Sequence, residues 1–188
     1  MTAEKALPAQ YRFDDSVAGR LLDLLVMTTD LGELLAGVTE LAIEMVPGCE
    51  SASVTVIHHR SPSTAAASDA RALAVDESQY AGGPGPCLQA ARTAQTVQVD
   101  DVATAATEEA WRRVAKGAAV TASLSLPLIS STNIEASLNL YSGRDDGWPA
   151  GALDQADALA AYAGNAITLA YRLNRREPEN LYRWPYSS

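Results

Sequence analysis

Three segments of the chain alternate apolar and polar residues with a period of two, and all three alternate in the same sense. In residues 51–58, Ala52, Val54 and Val56 share one face, with Ser53, Thr55 and Ile57 on the other. In 121–128, Ala122, Leu124, Leu126 and Leu128 stand opposite Thr121, Ser123 and Ser125. In 134–141, Ile134, Ala136, Leu138 and Leu140 stand opposite Glu135, Ser137, Asn139 and Tyr141. Successive strand side chains point to opposite faces, so this pattern predicts an antiparallel sheet with one apolar and one polar face. Pro127 has no N–H for a ladder, which places its strand's end at an edge or a bulge.

The apolar face needs helices, and the flanking sequence supplies them. From Asp15, Val17, Leu21, Leu24 and Leu25 recur at helical spacing. Asp30 and Glu33 form a capping-box pair ahead of the stripe Leu31, Leu34, Leu35, Val38, Leu41, Ala42, Met45 and Val46, which Pro47-Gly48 ends. A final helix from near Asp154 carries two stripes: Leu159, Ala163, Ala166 and Ala170, and separately Tyr162, Leu169 and Leu173. Between the strands, an alanine-rich strand at 63–68 follows a loop at 59–62, and residues 69–80 are partly helical. The Gly82-Gly83-Pro84-Gly85-Pro86-Cys87 run imposes a turn before a short helix at 88–94 and a strand at 96–99. Thr107 is the expected N-cap of a helix through Lys116, with Glu108 and Glu109 in its first turn. The result is an α+β domain at 15–176 between tails at 1–14 and 177–188. The terminal helices pack on one face of a single antiparallel sheet, and the polar face is either solvated or the floor of a ligand pocket roofed by the loops and helices of segment 60–118.

Composition narrows the function. The chain has 188 residues, 47% of them hydrophobic and 20% charged, enough apolar material for one real core. A net charge of -9 disfavours nucleic acid and anionic membrane as partners. Cys49 and Cys87 are far apart and form no CxxC pair, so neither a disulfide framework nor a zinc site is expected. No apolar run approaches the ~18 residues of a membrane span, and the N-terminus lacks a signal-peptide layout, which predicts cytoplasmic residence.

The order of elements and several motifs resemble a GAF domain, of the type that actinobacterial signalling proteins pair with an ANTAR output domain. The likeness rests on Asp30-Leu31-Gly32-Glu33-Leu34-Leu35, Glu44-Met45-Val46-Pro47-Gly48-Cys49 and Ala52-Ser53-Val54-Thr55. It continues through Gly85-Pro86-Cys87-Leu88, Val99-Asp100-Asp101, Ser125-Leu126-Pro127-Leu128 and Leu138-Asn139-Leu140-Tyr141-Ser142, and covers most of 15–173. It implies a GAF/PAS-like fold, small-molecule binding on the sheet face away from the terminal helices, and dimerisation through those helices. Residues 177–188 are too few for an ANTAR-like output, so no RNA-binding role is expected of this chain. Asn139 matches the first member of the cyclic-nucleotide signature, but the signature's lysine is missing and its acidic pair is not convincingly placed.

The candidate ligand contacts are therefore Thr55, Cys87, Trp111, Ser123, Ser125, Asn139 and Tyr141. The candidate homodimer face is Leu22, Val26, Tyr162, Leu169 and Leu173, apolar surface that a monomer would leave in water. Cys87 also resembles in position a catalytic cysteine of GAF-type free methionine sulfoxide reductases. Those enzymes use further cysteines and carboxylates on the sheet face, where this chain offers Asn139 and Tyr141. A small buried cysteine is the expectation for Cys87. Adjacent strand residues point apart, so His58 and His59 are expected at a solvated strand end rather than on a metal. The glycine run lacks the Lys-Ser/Thr of a P-loop, and Ser123 and Ser125 have no histidine partner for hydrolysis. The reading is a non-enzymatic sensor without cofactor or metal, signalling to a separate protein. The alternatives are the reductase and a dimerisation scaffold with no ligand.

Overall fold

The computed structural model describes residues 15–80, 83, 85–128 and 135–176, with side chains to 170. The two tails, Gly82, Pro84, Ile134 and the Leu173 side chain lie outside the described residues. Helix α1 (Val17–Met27) starts at Ser16, whose hydroxyl accepts from the Gly19 amide at 3.1 Å. Helix α2 (Leu31–Met45) starts as expected at Asp30, which accepts from the Glu33 amide at 2.8 Å. The Glu33 carboxylate reaches back one residue further than a capping box requires. It accepts from the Thr29 amide and hydroxyl at 2.8 and 3.1 Å.

Strands β1 (Ser51–His58) and β2 (Ser61–Ala67) form a hairpin closed by two residues, His59 and Arg60, both in the left-handed region at φ 48° and 67°. Two positive φ values match the strand twist as a type I′ turn does, so the loop is shorter than the four residues expected. A bulge between Val54 and Thr55 skips Ala65 and sets Thr64, instead of Ala65, opposite Thr55. Helix α3 (Ala70–Glu77) is capped by Asp69. Helix α4 (Pro86–Thr93) begins at Pro86, inside the expected turn, because proline's fixed φ and missing N–H suit a first helical position. Cys87 is thus helical. After β3 (Val97–Val99), α5 (Glu109–Gly117) follows a cap at Glu108. Thr107 caps nothing, and its buried Oγ1 has no hydrogen-bond partner.

Strands β4 (Ala122–Pro127) and β5 (Glu135–Ser142) complete a five-stranded antiparallel sheet of order β2-β1-β5-β4-β3. Pro127 lies beyond the last β3–β4 pair, Val97 with Ser125, where β4 has only β5 beside it. It occupies a local edge, as its missing donor demands. Helix α6 (Ala152–Arg176) closes the domain. The even-numbered residues of β1, β4 and β5 meet α1, α2 and α6 in one apolar core that includes Leu34, Val38, Val54, Leu124, Leu138 and Leu159. Among the described residues no helix is long and apolar enough to cross a membrane.

Candidate functional site

The odd-numbered residues of the sheet form the floor beneath α3, α4 and α5. Ser51, Ser53, Thr55, Ser123, Ser125, Ser137 and Asn139 are all buried. The floor expected to be solvated or roofed is therefore roofed, and α3 is fastened to it through a carboxylate. Residues Ala72, Val75, Asp76 and Gln79 share the inward stripe of α3 and the turn after it, and all four are buried. Asp76 is the one charged residue buried among those described.

Four side chains donate to Asp76. Thr55 and Thr64 donate to Oδ2 at 3.0 and 3.3 Å, the second made available by the β2 bulge. Asn139 Nδ2 donates to Oδ1 at 3.2 Å, and the Tyr141 hydroxyl donates to the same oxygen. Tyr80 joins the group at 2.7 Å from the Thr64 hydroxyl. Burial pushes the Asp76 carboxyl from 3.8 up to about 6, although the hydroxyls of Tyr141, Ser53, Thr55 and Thr64 pull it down. Burial and the facing Asp76 charge together push the Tyr141 and Tyr80 phenols upward.

Of the residues singled out in the sequence, Thr55, Asn139 and Tyr141 converge on Asp76. Ser123 and Ser125 lie beside them on the floor without joining that network. Trp111 packs with Val99, Val102, Ala115, Val120 and Tyr141, holding α5 down. Cys87 has no exposed surface and packs with Ile57, Leu88, Ala91 and Tyr80, as expected of a small buried cysteine. Its thiol is pushed well above its ordinary value, first by burial and then by Asp76. The buried Gln79 amide oxygen accepts from the Cys87 backbone N–H at 3.0 Å, joining α4 to the end of α3. Cys49 lies in the core on the other face, its thiol pushed up to about 12 by burial. Among the described residues no group of three side chains is arranged to hold a metal.

The face still has unused hydrogen-bonding capacity. Ser51 Oγ, Ser123 Oγ, Ser137 Oγ and Asn139 Oδ1 are buried without a partner, as is Trp111 Nε1. Such groups cost free energy unless something meets them. Sequence reading missed Asp76, Thr64, Tyr80 and Gln79. The available signal was an acid one helical turn from Ala72 and one residue from Val75, on the stripe that a covering helix turns inward.

On α1 and α6, Leu22, Val26, Tyr162 and Leu169 are 43, 64, 47 and 48% exposed. The two helices pack against each other, so these apolar side chains sit on one helical layer.

Solved structures with this arrangement come from several settings. A domain assigned to a two-component sensor histidine kinase of Sinorhizobium meliloti 1021 superposes with TM-score 0.65 at 14% identity, covering 80% of this chain and 99% of that one. GAF3 from Slr1393 of Synechocystis sp. PCC6803, in its photoproduct state, gives 0.63 at 18% identity, covering 79% and 99%. A type II free methionine-R-sulfoxide reductase from Thermoplasma acidophilum gives 0.56 at 13% identity, covering 73% and 95%. At these identities they establish the fold alone. No curated protein matches the sequence. The GAF domain model, however, matches residues 28–168, from the end of α1 into α6. With the five-stranded sheet, its helix-covered polar face and a family match spanning most of the sequence, the chain belongs to the GAF domain family.

Proposed function

We propose that this chain is a non-enzymatic, cytoplasmic sensory module that takes a small molecule on the polar face of its sheet. The carrying observation is the set of unpartnered buried atoms on that face, Ser123 Oγ, Ser137 Oγ and Asn139 Oδ1 above all. A ligand donating to Asn139 Oδ1 would engage the same amide whose Nδ2 donates to Asp76, and through Asp76 it would bear on α3, which that carboxylate ties to the floor. The same strands carry Leu138 and Leu140 on their other face, packed in the core with α2 and α6. A change on one face therefore has a route to the terminal helices. On this reading the exposed Leu22, Val26, Tyr162 and Leu169, with Leu173, join two copies into a homodimer.

Two observations favour a sensor over the reductase. Cys87 is buried with its thiol held in the protonated form, and Cys49 sits across the sheet, where it has no route to resolve a disulfide. The test is a thermal-shift screen of small metabolites on the wild type and on a Ser123→Ala/Ser137→Ala variant. A ligand at 100 times its Kd stabilises by about 2.7 kcal/mol, or roughly 5–10 °C in a domain of this size. A compound that shifts the wild type and shifts the variant much less supports the proposal. Equal shifts in both, or methionine sulfoxide turnover that Cys87→Ser abolishes, overturn it.

A further inference from the structure

The polar face opens at one end into a cleft of about 600 Å³ lined by Ile57, His59, Arg60, Arg92 and Glu135. Ile57 and Glu135 are paired neighbours on β1 and β5, so the cleft floor continues the sheet face already described. The β1–β2 turn forms one wall and the last turn of α4 another. Its charge runs against the rest of the molecule, which carries -9 overall. Elsewhere among the described residues four arginines are matched with carboxylates, Arg20 with Glu44, Arg71 with Glu50 and Asp69, Arg113 with Glu109 and Arg144 with Asp146, while Arg112 donates to the Ala105 carbonyl. Arg60 and Arg92 have no ion-pair partner among the described residues, although Glu135 shares the cleft.

Two further features mark the place. His59 and Arg60 both adopt left-handed backbone, a conformation that costs a non-glycine residue free energy, and this turn sets Arg60 on the cleft wall. Ser137 follows Glu135 on the same face and stands diagonal to Ile57. Its Oγ is fully buried and unpartnered.

We infer that this cleft binds a small organic anion. Arg60 and Arg92 hold its carboxylate or phosphate group, and its body lies over Ile57 toward the Ser137 hydroxyl. Guanidinium forks suit both oxyanions, and the anion supplies the counter-charge that one carboxylate, Glu135, leaves unmet against two arginines. The inference rests on the reading of the sheet face as a ligand site and names the ligand's chemical class.

Inorganic phosphate and acetate, titrated against chloride at matched ionic strength, are the probes, read by amide shifts in ¹H–¹⁵N spectra. The expected result is saturable movement of Ile57, Arg60, Arg92 and Ser137 with at least one oxyanion, weakened about tenfold or more in R60Q/R92Q. The larger response of the two assigns phosphate or carboxylate. Both substitutions lie on exposed side chains and leave the core contacts alone. Shifts equal to those in chloride, or unchanged in R60Q/R92Q, overturn the inference. A metabolite that binds wild type and R60Q/R92Q equally, but not Ser123→Ala/Ser137→Ala, removes the anion assignment while the sheet-face site stands. Loss of both responses removes both.

Discussion

Replacing Asp76 by asparagine should remove part of the protein's pH dependence. Oδ1 receives hydrogens from Asn139 and Tyr141, whereas Oδ2 receives them from two hydroxyls that can rotate, Thr55 and Thr64. A proton on the carboxyl therefore belongs on Oδ2, with a threonine oxygen turned to accept it. An asparagine with its Nδ2 in that place copies the protonated form. The native carboxyl titrates near 6 rather than 3.8, so the folded state binds the proton more tightly than the unfolded chain. The Asp76 contribution is then fully present below pH about 4, falls as pH rises through 6, and is constant above about 7. The interval from 3.8 to about 6 corresponds to about 3 kcal/mol. Urea unfolding of wild type and Asp76→Asn at pH 4, 5, 6 and 7.5 isolates this change, because all other groups cancel in the difference. The variant should gain on the wild type by up to about 3 kcal/mol between the ends of that range, most of it between pH 4 and 6.5. A difference that stays flat with pH would refute the claim that burial dominates at Asp76.

Other consequences follow from the same packing. Ser123→Ala and Ser137→Ala each delete an unpartnered buried hydroxyl, so the free protein should be as stable as the wild type or more stable by up to about 1 kcal/mol, measured by urea unfolding. A Cβ at Gly85 would run into the Gln79 amide, so Gly85→Ala should break its bond to the Cys87 N–H and cost about 1–3 kcal/mol, with faster hydrogen exchange at the start of α4. Cys49 and Cys87 should react with a thiol reagent at pH 8 only as the domain opens, and rapidly in urea; quick labelling of the folded protein would contradict their burial. Light scattering should give a dimer for wild type and a monomer for Tyr162→Glu/Leu169→Glu, whereas a monomeric wild type would remove the proposed helix interface.

Local chemistry made most of the fold legible. Asp30 and Glu33 mark the start of α2, Pro47-Gly48 its end, and the alternating segments identify β1, β4 and β5 with the correct face inward. The two stripes of α6 separate as read, with Leu159, Ala163, Ala166 and Ala170 buried and Tyr162 and Leu169 exposed. The starts of the two short cover helices were less visible. Thr107 has better capping chemistry than Glu108, yet tertiary packing starts α5 one residue later. Pro86 reads as a breaker beside three glycines but serves as the first residue of α4. The site was legible only by halves. Thr55, Asn139 and Tyr141 are on the right face by parity alone, whereas their common partner Asp76 sits in a short helix where an acid ordinarily reads as solvated. Thr64 reaches that partner through a bulge, and a one-residue irregularity of pairing leaves no mark on an alanine-rich strand.

The central claim is that the polar sheet face holds a small molecule. Its most direct test is native mass spectrometry after incubation with the low-molecular-weight fraction of a cell extract, followed by denaturation. The account predicts a non-covalent adduct on the wild type that denaturation releases and that Ser123→Ala/Ser137→Ala largely loses. A bare wild-type protein under those conditions, or an adduct retained equally by the variant, would contradict it.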